Sequence, residues 1–248
     1  MAGSRRLVSI VVPAYNEARE LPATLASITR SAAAFEARGW AHELIVCDNN
    51  STDGTPEIAR NAGATVVFEP VNQISRARNT GAARAAGDWL VFIDADSHPS
   101  PALFAATADA IASGRYLAGG ATVALGKHPT LHARSVVAIW NAISRIARLA
   151  AGSFIFCETR AFREIGGFSL ELYAAEEIEI FTRLKRLARA SGRRVVILHE
   201  HPLVTSDRKE RLYTKREMFA SMLKSVFTLG RTLRHRDDCH VWYDGRRE

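Results

Sequence analysis

The chain has 248 residues, 47% of them hydrophobic and 24% charged, which excludes a disordered or fibrous polymer and allows a sizeable buried core. Its net charge of +7 is unevenly placed: residues 1–182 hold 16 Lys/Arg and 18 Asp/Glu, whereas residues 183–248 hold 17 and 8. Such a basic last third points to a phosphate-bearing ligand, an acidic partner or an anionic membrane surface, and no helix-turn-helix, zinc-finger or aromatic-platform pattern directs it to nucleic acid.

Residues 7–12 read as a buried strand ended by Pro13. The run is too short for a secretory signal, so a cytoplasmic protein is expected. Residues 17–35 have helical spacing, with Leu21, Leu25 and Ile28 on one face. Residues 43–47 read as a second strand. Thr55 and Pro56 open a helix to about Asn61, with Thr55 as its cap. A strand at 65–68, an alanine-rich helix at 75–86 and an apolar strand at 89–93 follow. This alternation predicts a mostly parallel sheet covered on both faces, with ligands beyond the C-terminal strand ends. Trp89, in that last strand, is assigned to packing.

Beyond Pro101 the pattern loosens. Helices are expected at 101–113, 131–150, 159–165 and 174–190, and strands at 116–125, 153–157 and 194–198, with an irregularity at Gly119-Gly120. The longest apolar region, 135–157, is interrupted by Asn141, Arg145 and Arg148 and fails as a spanning helix. Its amphipathic part, 139–149, suggests peripheral contact with anionic lipid at the inner face of a membrane. Cys47, Cys157 and Cys239 form no CxxC pair; Cys47 and Cys157 read as core. The organisation is one domain over 5–204 and a helical C-terminal extension over 205–248 packing on it.

Four polar clusters fall beside strand ends or helix starts: Pro13-Ala-Tyr-Asn-Glu17, Asp48-Asn-Asn-Ser-Thr-Asp53-Gly-Thr55, Asp94-Ala-Asp96 and Glu176-Glu177. Each alone reads equally as an Asx turn or helix cap. Together they point to a ligand. Asp94 and Asp96 leave a strongly apolar strand two residues apart, and carboxylates so close repel unless a cation lies between them or one is protonated. Hard oxygen donors select Mg²⁺ or Mn²⁺, which keep positions for substrate phosphates.

The ordered set resembles a family 2 glycosyltransferase of the GT-A fold. Ser9 to Glu17, the Asp48-to-Thr55 turn, Ala77-Arg78-Asn79 with Ala86-Gly87-Asp88, Asp94-x-Asp96 and Glu176-Glu177 before Arg183-Leu184 carry the likeness, over about residues 9–198. The resemblance implies an α/β nucleotide-binding sheet flanked by helices and a nucleoside-diphosphate sugar donor. It implies that Pro13, Tyr15 and Glu17 line the nucleoside pocket, Asp48 holds the base, Arg78 lies near the sugar or diphosphate, and Asp94 lies beside the sugar and ribose. Asp96 would bind the metal, and Glu177 takes the position of the catalytic base. The late motif is Glu-Glu where the family has Glu-Asp, so Glu176 stays open as the base. Asn49 stands where the family has a second acid. His199 or His201 could be a third metal ligand, and residues 205–209 a basic lid over the diphosphate.

One base without a second, nucleophilic carboxylate implies single displacement with inversion, by the logic that separates glycosidases. The acceptor could be a saccharide, a lipid-linked or a small-molecule hydroxyl. A nucleotidyltransferase is the alternative enzyme, but it favours a Gly-rich basic loop where Pro13 to Glu17 stand. A dehydrogenase would need GxGxxG there, and a non-catalytic sugar-nucleotide binder would tolerate a degraded acidic set. Within the helix expected at 174–190, Glu176, Glu179 and Arg183 share a stripe explained by a Glu179–Arg183 pair. Glu177 aligns with Phe181 and Leu184 and should face the cleft.

Overall fold

Short β-branched apolar runs make strands of the N-terminal segments, buried on both faces at residues 8–14 and 89–93, and the helices between them lie across the sheet. The computed structural model describes residues 6–126 and 130–206, with Leu131 and His132 by backbone alone. The first unit is β1 (Leu7–Ala14), α1 (Leu21–Glu36), β2 (Ala41–Asp48), α2 (Thr55–Asn61), β3 (Thr65–Phe68), α3 (Ile74–Arg84) and β4 (Trp89–Ile93). The second is β5 (Ser97–His98), α4 (Pro101–Ala112), β6 (Tyr116–Leu125), α5 (Leu131–Ala147), β7 (Phe154–Glu158), α6 (Thr159–Glu164), α7 (Glu176–Ala190) and β8 (Arg194–Thr205).

The strands form one sheet in the order β3-β2-β1-β4-β7-β6-β8-β5. The first four are parallel. β7 runs antiparallel to β4 and β6, β8 is parallel to β6, and β5 is antiparallel to β8. One face buries Leu21, Leu25, Ile28 and Phe35 of α1 with Leu103, Phe104 and Ile111 of α4. The other buries Phe162 of α6 and Ile180, Phe181 and Leu184 of α7. Cys47 and Cys157 are fully buried, and burial pushes both thiols up. Trp89 is buried 6.2 Å from the Phe156 ring, as packing requires.

Several boundaries move for physical reasons. α1 starts at Leu21 because residues 17–20 form a turn closed by Leu21 N–H on the Glu17 carbonyl, with Pro22 in the first helical turn. Gly54, not Thr55, caps α2; Thr55 Oγ1 is occupied with Asp53 and with the Glu17 N–H. β8 runs seven residues past Leu198 because its end pairs with β5, a two-residue strand too short for any periodicity. Gly119 and Gly120 lie in regular pairing with β7, and the register shifts flank them. A Cβ at Gly119 would come 2.6 Å from the Val196 carbonyl, and one at Gly120 2.8 Å from that of Phe154, so close strand approach explains the pair. Of the expected C-terminal extension, residues beyond 206 lie outside the described residues.

Candidate active site

The parallel strands bring the first two polar clusters to one sheet edge. Ala14 pairs with Asp48 across β1 and β2, so Pro13, Tyr15 and Glu17 emerge beside the Asp48 turn. The two loops are sewn together. Asn16, in the left-handed region at φ 51°, donates its N–H to Ser51 Oγ at 2.9 Å and accepts the Thr52 N–H at 2.8 Å. Glu17 N–H donates to Thr55 Oγ1, and Ala18 N–H to Asp53. Burial works against the Asp53 charge, but bonds from Thr55 and Ala18 prevail and hold its pKa below the usual carboxylate value. Asp48 is buried and accepts the Ser51 N–H at 3.0 Å. Ser51, Asp53 and Thr55 thus form the frame, while Pro13, Tyr15, Glu17 and Asp48 line the edge it fixes.

The second gathering is electrostatic. Arg78 of α3 is 1% exposed, and its guanidinium donates to Glu176 Oε1 at 2.8 Å, Asp94 Oδ1 at 2.9 Å and the Gly152 carbonyl at 2.9 Å. Its carbon centre lies 5.1 Å from the Phe168 ring centroid. Burial opposes its charge, yet Asp94, Glu176 and Glu177 around it hold it more firmly protonated than usual. The buried Arg78 thereby draws Asp94 and Glu176 together.

Glu176 and Glu177 begin α7, after Ala175 in the left-handed region at φ 62°. The Glu179–Arg183 pair forms as the helical spacing requires. Glu176 does not share that outward stripe: it is 5% exposed and turned to Arg78. Standing at the first helical position, it projects back over the helix start, where α3 supplies its partner. Glu177 is half-buried, and its pKa is raised to about 7 by burial first and by the Glu176 charge second. The two neighbours therefore differ in kind: one carboxylate is neutralised by an arginine and the other is poised to titrate.

Asp94 and Asp96 follow β4 as expected, both half-buried. Ser206 N–H donates to the Asp96 carbonyl at 3.1 Å, so the first residues of the expected basic lid adjoin this turn; Arg208 and Lys209 lie outside the described residues. His199 and His201 are exposed on β8. His199 stands beside Arg145, Arg148 and Arg194, and the structure does not bring it to Asp96. Among the described residues no group of three His, Cys, Asp or Glu is assembled around one point.

Sequence reasoning missed the clamps. Asn49 spans the Glu69 and Val71 carbonyls and accepts the Gln73 N–H, so the family's missing acid is here a structural amide. Gln73 Nε2 donates to the Leu170 and Leu172 carbonyls, and Asn79 accepts the Phe168 N–H while donating to its carbonyl. Gly152 matters for its bareness: a Cβ there would come 3.1 Å from Arg78 Nη2 and 3.8 Å from Glu177 Cδ. No local spacing signals these contacts: the partners lie 20 to 24 residues apart at Asn49 and 89 to 99 apart at Gln73 and Asn79, and at Gly152 the signal is a missing atom.

Comparison with known proteins bears on the family and the fold. A family model described as Glycosyl transferase family 2 matches residues 9–163. Glycosyltransferase AglE of Haloferax volcanii is 34% identical over 105 residues, 40% of this chain and 33% of its own length. The undecaprenyl-phosphate 4-deoxy-4-formamido-L-arabinose transferase of Aeromonas hydrophila is 35% identical over 104 residues, covering 39% and 31%. The chain spans about a third of the length of these curated relatives. The mannosyltransferase PcManGT of Pyrobaculum calidifontis, solved with GDP-Man and Mn²⁺, superposes with a TM-score of 0.66 at 22% identity, over 92% of this chain and 64% of that one. At that identity the likeness bears on the fold, which is of the same type.

Proposed function

The chain belongs to the glycosyl transferase family 2, and from that membership we propose that it transfers a sugar from a nucleoside-diphosphate sugar to an acceptor hydroxyl, with inversion and with Mg²⁺ or Mn²⁺. The observation that carries the reading is the pairing of unlike carboxyls at Glu176 and Glu177, beside Asp94 and the Asp96 turn. A general base works best with a pKa near the working pH, and a Glu177 carboxyl raised to about 7 meets that requirement. It would take the acceptor proton as the hydroxyl oxygen attacks the anomeric carbon and the diphosphate departs. Glu176 is tied to Arg78 and serves as a positioning residue, holding the guanidinium against Asp94.

The nucleoside would lie along the edge formed by Pro13, Tyr15, Glu17 and Asp48, where no Gly-rich basic loop of a nucleotidyltransferase is present. The cation fits the donor chemistry: the Asp94-x-Asp96 turn offers hard oxygen atoms from few carboxylates, as suits an ion that completes its shell with water and phosphate. Asp96 would hold it, and when bound it supplies positive charge against the leaving diphosphate. The donor and Mn²⁺ of PcManGT support this assignment.

A thermal-shift screen of nucleoside-diphosphate sugars, with and without Mn²⁺, tests the reading. A true donor at about 100 times its Kd adds about 2.7 kcal/mol, and Asp96→Asn should remove the Mn²⁺-dependent part of the shift and of turnover while leaving the fold intact. Proton NMR of the product should show the anomeric configuration inverted. No shift with any sugar nucleotide, or full turnover in a chelator, would sink the proposal.

A further inference from the structure

Helix α5 carries its large apolar residues on the outside. Val136, Ile139, Ile143 and Ile146 recur at spacings of three and four, one stripe on a helix, and are 49%, 62%, 47% and 85% exposed. They extend roughly 15 Å along the axis at the helical rise. A different side of α5 meets the protein: Ala133 and Ser144 are buried, and Asn141 holds β6 through the Val123 N–H at 3.0 Å and carbonyl at 2.8 Å.

At the C-terminal end of the stripe, Ile146 shares an open cavity with Arg148, Lys185, Arg189, Arg193 and Arg194. Arg193 pairs with Glu158, whereas among the described residues no carboxylate forms an ion pair with the other four. The Lys185 ammonium donates to the Ala147 carbonyl. Burial, then the charges of Arg189 and Arg148, hold its pKa below the usual lysine value, as expected of cations crowded without counter-charge.

We propose that this face docks on an anionic lipid surface, with Val136, Ile139, Ile143 and Ile146 in the acyl boundary and Arg148, Lys185, Arg189 and Arg194 against lipid phosphates. An apolar stripe that ends in unneutralised cations matches a surface apolar within and negative at its rim. Charge complementarity disfavours the other occupants. The chain's own residues 207–248 carry 11 Lys/Arg against 7 Asp/Glu and would add like charge. A second copy related by a two-fold axis through the middle of the stripe would cover the apolar residues but leave the cations at its two ends without counter-charge.

Co-sedimentation of the full chain with vesicles tests this, using phosphatidylcholine alone and phosphatidylcholine mixed with phosphatidylglycerol, at low and high salt. Binding to the mixed vesicles and weakening by salt are expected. Ile139→Asn with Ile146→Asn should weaken binding about tenfold or more per residue, and Arg189→Glu with Arg194→Glu about fivefold or more per charge removed. All four positions are exposed, so the fold should survive. Amide exchange across α5 should slow when mixed vesicles are added. Full recovery in the unbound fraction under every condition, or binding unchanged in the isoleucine variant, overturns the proposal. So does displacement by inorganic phosphate at the lipid's concentration, which marks a free-phosphate site. Exchange already slow without lipid also overturns it: a doubled sedimentation mass then assigns the face to a second copy, and an unchanged mass to residues 207–248.

Discussion

Helices α5 and α7 have apolar residues at similar spacings and meet opposite fates. α7 buries Ile180, Phe181, Leu184 and Ala188 against β6, β8 and α6, whereas α5 turns Val136, Ile139, Ile143 and Ile146 outward. The difference lies in what each helix offers the sheet. α7 brings large side chains to a large cluster, while α5 is held to β6 by Asn141 and buries Ala133 and Ser144, small or polar residues that fill little space. Periodicity therefore reports that a helix has an apolar face; the neighbours decide whether protein covers it.

Substitutions can break or sharpen this contrast. The largest effect belongs to the start of α7. Glu177→Gln should keep donor affinity and lower turnover by about two to four orders of magnitude, and Glu176→Gln should lower it less while reducing thermal stability, since Arg78 then faces one charged partner fewer. Wild-type turnover should rise with pH through about 7 as Glu177 ionises. Stability runs the other way. A carboxyl whose folded pKa lies above its unfolded value contributes stability below the unfolded value, and that contribution is lost as pH rises through the folded one. Glu177→Gln should thus be more stable than wild type above pH 7, measured by denaturant melts across pH. A greater loss of transfer in Glu176→Gln, with donor binding intact, would move the base to Glu176.

Next in size, Phe181→Ala should cost about 3–5 kcal/mol in a denaturant melt, because the ring is fully buried. Gly152→Ala should leave the fold intact and lower turnover by about tenfold, since small displacements of reacting groups are expensive and Arg78 must give by a few tenths of an ångström. Smallest of all, Ile146→Asn on α5 should change stability by no more than about 0.5 kcal/mol. A loss of several kcal/mol there would mean that protein covers the stripe and would erase the contrast between the helices.

Most of the architecture was legible in the sequence, because residues 7–93 alternate strand and helix signals and three of the four strands there end in a polar cluster. Asp94 and Asp96 could be picked out as one of those strand ends, and Glu176 and Glu177 as an acidic pair at a helix start. Their division of labour could not. The stripe rule grouped Glu176 with Glu179 and Arg183, but its partner is Arg78, 98 residues away on α3. His199 looked like a neighbour of the acidic turn, yet β8 carries it among arginines and reaches Asp96 only beyond Thr205. Local periodicity encodes which way a face points and is silent about which distant element arrives there.

The grips of Gln73 and Asn79 on residues 168–172 touch backbone atoms alone: the carbonyls of Leu170 and Leu172, and the N–H and carbonyl of Phe168. Nothing in those bonds reads the side chains of Ser169, Leu170, Glu171 or Leu172. That stretch can drift in sequence while staying anchored in place, so the fold separates the inheritance of position from the inheritance of chemistry. New surface character can evolve at 169–172 without renegotiating the scaffold beneath it.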